Sequence, residues 1–505
     1  MRRVAVGIAI ALILIVGAGG IYLVSFSSGG KTTSGSGVST TSSSTSASGG
    51  CGSTGPDKDK QLSNVTFGAV TEFVLPSRYT SPNAITVAPD GSVWFGENGM
   101  PGLGHLFPNG TLTEYKLEFE SGLPQNVCGD RAQIWGVALW DGGVWATDEN
   151  QPVLEGIDPA TGAVTNVTLR SGTQPYTVAA GPDGDLWITQ FVGGPDLARV
   201  TPATHQVQYF SLPGNDSWST QYVVFANTTL GYALEIDAAL ANSPTAVSSV
   251  LYSFNPQSPN PTFTQAAPNA TLYSPTSIAV GEGGIWLTEH SGTGMAFFNT
   301  TSSRWTIFPT STVPYVPETL SYFDGSNGTA VWFNEHFANQ MGVISEDGTR
   351  LTEYSFSDPP VSSLQAITNT ESMALADGRT WFTQWTGNTV GFVNQSYPVP
   401  FVVSSQNSTV HLRAGTSEKI QVQLSGRSDG NLSFLFSDNE AFNGTTEGIV
   451  FQPSTATFPS LDGAQTVSVA ISAAGSIAPG EYTAAVTVSN GLVRSSVFVT
   501  IVVTG

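Results

Sequence analysis

Cysteine is almost missing from this chain: Cys51 and Cys128 are the only two in 505 residues. A disulfide-framed fold is therefore excluded, and the two either form a single bridge outside the cell or remain thiols. Basic residues are also scarce, 17 Lys and Arg against 38 Asp and Glu, which gives a formal net charge of -21. Such a chain repels a phosphate backbone, so nucleic acid is not an expected partner, whereas cations or a salty exterior are compatible with it. Histidine occurs five times. Neither an EF-hand loop nor His-Glu-x-x-His zinc spacing is present, so those two kinds of metal site are excluded.

What is present begins with an apolar run. Arg2 and Arg3 precede VAVGIAIALILIVGAGGIYLVSF, from Val4 to Phe26, which carries no charge. As a helix it spans roughly 30 Å of hydrocarbon, and the arginines would stay inside. A cleaved signal peptide competes with this reading, but its apolar core normally ends after about 7 to 15 residues. The sequence thus predicts an N-terminal transmembrane helix over residues 1–26, single-pass in the cell membrane, with the bulk of the chain extracytoplasmic. Residues 27–63 are rich in Ser, Thr and Gly and cannot bury apolar surface, so they read as a flexible stalk. Asn-x-Ser/Thr sequons from Asn64 to Asn443 fit a glycoprotein exposed outside the cell, although a Ser/Thr-rich chain makes some by chance.

A repeat organises residues 64–398. PNAITVAPDGSVWFGEN from Pro82, PYTVAAGPDGDLWITQ from Pro175 and PTSIAVGEGGIWLTEH from Pro275 share one plan. A short apolar strand leads to a Gly-containing turn, then to a strand carrying Trp, with a polar residue three places further on. The anchor aromatics are Trp94, Trp145, Trp187, Tyr232, Trp286, Trp332 and Trp381, a spacing that predicts a seven-bladed β-propeller. VTEFVLP, Val70 to Pro76, has the look of a fourth strand without a blade, while the last repeat lacks one; the two should complete each other and close the ring. Residues 399–505 lose the Trp repeat and alternate in short strands such as QTVSVAISA, which predicts an immunoglobulin-like β-sandwich. The whole is an all-β chain. GRSDG, Gly426 to Gly430, matches Gly-x-Ser-x-Gly, but a hairpin turn is all its context offers.

The repeat, Pro-x-Ala-Ile, Gly-Pro-Asp-Gly, Leu-Trp-Phe-Thr-Glu and Thr-Glu-Tyr-x-Leu-Pro, resembles that of the streptogramin B lyase (virginiamycin B lyase) family. The resemblance covers residues 70–396 and implies a seven-bladed propeller, magnesium, and ring opening by elimination with a histidine base. The family's histidines follow the Pro that starts the first strand of the last two blades. Here that position holds Asn83, Trp135, Tyr176, Tyr222, Thr276, Glu318 and Glu371. Glu318 and Glu371 thus replace the histidines, and Asn369 and Trp385 stand where the resemblance places metal-binding glutamates.

The candidate residues follow from the repeat. Glu318 and Glu371 are the candidate catalytic carboxylates. Glu97, Asp148, Glu235, Glu289 and Glu335, three places after their anchors, either hold a cation such as Mg or Ca or bond backbone amides of adjacent blades. Trp135, Tyr176 and Tyr222 form a stacking wall or pack at the rim. His290 and His336 are ligand-binding candidates or plain loop residues, because neighbours along a strand point to opposite sides. The expected function is a membrane-anchored surface protein that binds a small molecule, glycan or peptide on an acidic, aromatic face. A carbon-oxygen lyase with a carboxylate base and a structural envelope protein are the alternatives.

Overall fold

The structure is a computed structural model. It describes residues 14–17, 20–23, 57–76, 80–119, 132–192, 194, 196–214, 218–237, 249–270, 272, 274–281, 283–289, 294–311, 321–326, 330–335, 338–356, 370–376, 378–385, 387–439 and 448–505. Cys51 and Cys128 lie outside these.

Seven antiparallel sheets repeat along the chain. Blade 1 is built from Pro82–Val87, Val93–Glu97, Gly102–Leu106 and Thr111–Lys116. Blade 2 runs from Gly136 to Thr168, blade 3 from Gln174 to Ser211, blade 4 from Ser219 to Gln265, blade 5 from Pro275 to Pro309 and blade 6 from Ser321 to Ser355. Blade 7 supplies Thr370–Ala376, Arg379–Gln384 and Thr389–Asn394. Its fourth strand is Val70–Val74, with Val390 opposite Phe73 and Val393 opposite Val70. The closure expected from VTEFVLP is the one observed. Asn64–Phe67 adds a further strand outside it, and Lys60–Gln61 pairs with the outer strand of blade 1.

A sheet needs its apolar face covered, and here neighbouring blades cover one another. Trp381, Phe73, Leu75, Leu62, Ile85 and Phe95 fill the seam between blades 7 and 1. Equivalent clusters separate blades 2 and 3 around Trp145 and Ile188, and blades 3 and 4 around Trp187 and Phe254. The anchor aromatics are thus the mortar between blades; Trp187, Trp286 and Trp381 are wholly buried. A glycine on the third strand makes room for the neighbouring ring. A Cβ on Gly391 would meet Phe382 at 2.7 Å and the Thr71 carbonyl at 2.6 Å. Hydroxyls then tie blade to blade: Thr147 Oγ1 donates to the Tyr176 carbonyl at 2.5 Å, and Thr383 Oγ1 to the Asn83 carbonyl at 2.7 Å, across the seam.

The C-terminal residues form two facing sheets around Val422, Val469, Ile471, Val486 and Ile501. One sheet continues into the propeller. The first half of Val493–Thr504 pairs with Arg350–Ser355 of blade 6, and its second half runs parallel to Thr409–Arg413. Phe308 and Phe498 meet at 5.1 Å beside this junction. Ser437 Oγ donates to the Thr310 carbonyl at 2.6 Å, and Arg494 Nη1 to Ser311 Oγ at 3.1 Å. Ser428 of GRSDG ends the strand Ser417–Ser428 opposite Leu461, so it is no strand-to-helix elbow.

The N-terminal transmembrane helix has no support among the described residues, which within residues 1–26 are 14–17 and 20–23 alone. Leu14–Gly17 and Gly20–Leu23 pair as two antiparallel strands, and among the described residues no helix is long and apolar enough to cross a membrane. Each interior glycine costs a helix about 1 kcal/mol, and the run holds Gly17, Gly19 and Gly20 between β-branched Ile15, Val16 and Ile21, which favour strands.

Closure generates a prediction. Phe73 is 1 % exposed and Val65, on the strand outside it, 55 %. Phe73→Ala should cost about 3–5 kcal/mol in denaturant unfolding, whereas Val65→Ala should stay within about 0.5 kcal/mol.

Candidate functional site at the propeller mouth

Each second strand ends in two neighbouring positions that the pleat sends opposite ways. The first holds Glu97, Asp148, Gln190, Glu235, Glu289, Glu335 and Gln384, all buried. Several of these side chains are engaged within their own blades or by the adjacent backbone. Asp148 accepts from Gln133 N at 2.9 Å, Asn150 N at 3.1 Å and Gln151 Nε2 at 3.1 Å. Glu335 accepts from Gln340 Nε2 at 2.6 Å, its register partner on the third strand. Gln384 takes the hydroxyl of Thr389 in the same way. Glu97 lies beside Gly102, and burial together with the charges of Glu114 and Asp57 holds its carboxyl well above the usual range. Glu235 sits against Gly214, and burial pushes it up to about 7.

An Mg or Ca ion needs several oxygens converging on one point. Among the described residues no group of three or more His, Cys, Asp or Glu does so. The donor set therefore does not fit a cation held between Glu97, Asp148, Glu235, Glu289 and Glu335.

The second position holds Asn98, Glu149, Phe191, Ile236, His290, His336 and Trp385; Glu149, Phe191 and Trp385 gather at the mouth with Trp135 and Tyr176, whereas Ile236 packs into the cluster between blades 4 and 5. Trp385 of blade 7 meets Trp135 of blade 2 edge-on at 5.9 Å, across the start of blade 1. Trp135 packs against Tyr176 at 5.3 Å, and Tyr176 against Phe191 at 5.5 Å. Tyr176 and Trp385 are each 8 % exposed, while Trp135 and Phe191 remain half-buried. Below them Glu149 is fully buried. Its Oε2 accepts the Trp135 indole N–H at 2.7 Å, and its Oε1 has no hydrogen-bond partner. Burial raises this carboxyl to about 7, the Trp135 bond opposing the rise and Asp148 adding to it.

Trp135 and Tyr176 are thus brought together as the sequence suggested, but Tyr222 is not with them. Val223 pairs with Ala233 as Val178 pairs with Ile188, so Gln221 holds the place of Tyr176. Tyr222 packs instead into the cluster between blades 4 and 5; with a period of two, one residue of slip changes the face. In blade 6 Phe323 pairs with Phe333 and Ser321 with Glu335, without the bulge that precedes Val178 in blade 3. Glu318, Asn369, His290 and His336 lie outside the described residues. Glu371 is on the strand Thr370–Ala376 at the register of Tyr176, with its side chain outside the description. Glu149 was missed. Its signal is a place whose chemistry varies from blade to blade beside one that stays polar.

No family model and no curated protein matches the chain. Among solved structures, a streptogramin B lyase shares 20 % identity over 64 % of this chain and 96 % of its own, with a TM-score of 0.50. Virginiamycin B lyase from Staphylococcus aureus shares 21 % over 64 % and 98 %, also at 0.50. The propeller segment therefore has the streptogramin B lyase-like fold, and at such identity the likeness concerns fold alone.

A pH dependence follows. Glu149, Glu155 and Glu235 titrate near 7 in the folded chain through burial, against about 4.3 unfolded. Between these values the folded state binds more protons, so stability should fall as pH rises from about 4.3 to 7 and level off above. Glu149→Gln should flatten that slope in urea midpoints taken across the range; an unchanged slope would contradict the assignment.

Proposed function

We propose that this chain is an extracytoplasmic surface protein whose propeller mouth binds a small amphipathic cation. The observation that carries the reading is the convergence of Trp135, Tyr176, Phe191 and Trp385 from blades 2, 3 and 7 above the buried carboxyl of Glu149. Aromatic faces attract cations through the ring quadrupole, most strongly where water is excluded. A carboxylate beneath them adds charge, and one titrating near neutrality makes that charge depend on pH. The surplus of 21 negative charges draws cations towards the surface in general. The reading does not need the lyase chemistry, whose histidine positions hold no histidine here.

Attachment to the membrane is part of the proposal. It is supported by the uncharged run behind Arg2 and Arg3, because in hydrocarbon a single segment satisfies all its backbone groups only as a helix. Exposed sequon asparagines such as Asn64, Asn109, Asn166, Asn227 and Asn431 suit an exterior location. Alkaline carbonate should leave the full chain in the membrane pellet; release into the supernatant would remove the anchor.

A second reading has one observation in its favour. A carboxyl near 7 with a free oxygen can take a proton, as a carbon-oxygen lyase with a carboxylate base requires. Indole fluorescence of the full chain, titrated with benzyltrimethylammonium, separates the two. Binding should tighten as pH rises through about 7, lose its pH dependence in Glu149→Gln and weaken about tenfold in Trp135→Ala. Linearisation of a cyclic depsipeptide, abolished in Glu149→Gln, would favour the lyase instead.

A further inference from the structure

A second recessed site lies away from the mouth, where propeller and sandwich meet. It is a cleft of about 310 Å³, at the lower end of the volumes that hold small ligands. Five separate stretches wall it: the turn Phe67 to Val70 outside blade 7, the end of the outer strand of blade 6 at Tyr354 and Ser355, the connector at Tyr397 and Pro400, and the two sandwich turns around Arg427–Gly430 and Asn490–Val493. The floor is fixed, because Tyr354 pairs with Val493 in the continuous sheet and Ser355 N donates to the Leu492 carbonyl at 2.9 Å. Tyr354 is 4 % exposed. Burial and the neighbouring Tyr397 push its hydroxyl up to about 12, so it stays protonated and able to donate.

The polar groups left over define the ligand. The Asn490 side-chain oxygen is occupied by Leu492 N at 3.0 Å and Val493 N at 2.8 Å, which leaves its amide NH2 to donate. At the rim, Arg427 Nε and Asp429 Oδ1 are 3.4 Å apart, with side chains 74 % and 86 % exposed. Together they supply a fork of donors and a pair of acceptors with no net charge. Leu492, half exposed, and the Tyr397 ring add apolar surface. A phosphate or carboxylate would meet Asp429 beside Arg427, and an ammonium the reverse. A neutral molecule with several hydroxyls and one apolar face satisfies both the tyrosine hydroxyls and the rim.

We propose that this interdomain cleft is a binding site for one neutral hexose unit, free or at the end of a glycan. The hexose lays its apolar face on Tyr397 and Leu492. Its hydroxyls take hydrogen bonds from Tyr354, Asn490 and Arg427 and give one to Asp429. The site exists only because the sandwich is fused to blade 6; each domain supplies about half of its wall.

Saturation-transfer NMR on the full chain tests this, with methyl glycosides of glucose, galactose, mannose and N-acetylglucosamine as probes, and glucosamine and glucuronate as charged controls. Transfer to at least one neutral glycoside is expected, with weaker transfer to both controls. Tyr397→Ala should weaken binding about tenfold, and Arg427→Ala combined with Asp429→Ala several-fold. Both rim residues are exposed, so the double variant should keep the wild-type thermal midpoint. The signal should persist in Trp135→Ala, which disables the mouth and so separates the two sites. No transfer to any of the four, equal transfer to the charged sugars, or binding indifferent to both Tyr397→Ala and the rim variant would overturn the proposal.

Discussion

One hydrogen-bonded seam holds the propeller together. Val70–Val74 must find Thr389–Asn394 more than three hundred residues away, and until it does, blade 7 has an open edge and Trp381 an incomplete pocket. The cost is entropic, since closing so long a loop orders the ends of the chain for the sake of one strand. It is offset on both sides of the closing strand, where Phe73, Leu62 and Leu75 enter the cluster around Trp381, Ala69 and Val70 pack with Trp332 and Phe382, and Thr383 reaches across to Asn83. Every other blade interface joins segments adjacent in sequence. The mouth depends on the seam as well, because Trp385 belongs to the last blade and Trp135 to the second.

The two positions at the end of each second strand divide labour between scaffold and site. The first position stays polar in all seven blades, and in blades 2, 6 and 7 it is spent on its own sheet or the adjacent backbone, as the bonds of Asp148, Glu335 and Gln384 show. Its neighbour changes from Asn98 to Glu149 to Phe191 to Trp385 and meets the side chains of other blades. A repeat can be specialised at such a place without loss of closure, because the strand bonds are made by the backbone and the anchor aromatics do the packing.

The same division explains how far the sequence could be read. Strand pattern, turn glycines and the spacing of the Trp anchors made the blades and the closing strand legible, since these depend on local chemistry and a fixed period. Which carboxylate matters was not legible. Glu97 and Glu335 drew attention by recurring, but recurrence marks a role inside each blade, and Glu149 stands out only once Trp135 and Trp385 are seen beside it. Tyr222 is one residue off because blade 4 has no Pro to mark the start of its first strand, Gln221 standing before Tyr222, whereas the strand register, counted from the anchor, fixes the place. The apolar run at the N-terminus is legible only as a run: length and hydropathy describe a helix, while the two short described pieces of it, Leu14–Gly17 and Gly20–Leu23, pair with each other.

The N-terminal segment reaches the body through Lys60–Gln61 on blade 1 and then Asn64–Phe67 on blade 7, which puts one short clasp on either side of the join. Were the chain ahead of Lys60 pulled, it would first peel a two-residue ribbon from blade 1, then a four-residue one from blade 7, before any load arrived at Val70. Mechanical stress is thereby taken up in stages by dispensable pairings, and the ring itself is shielded from it.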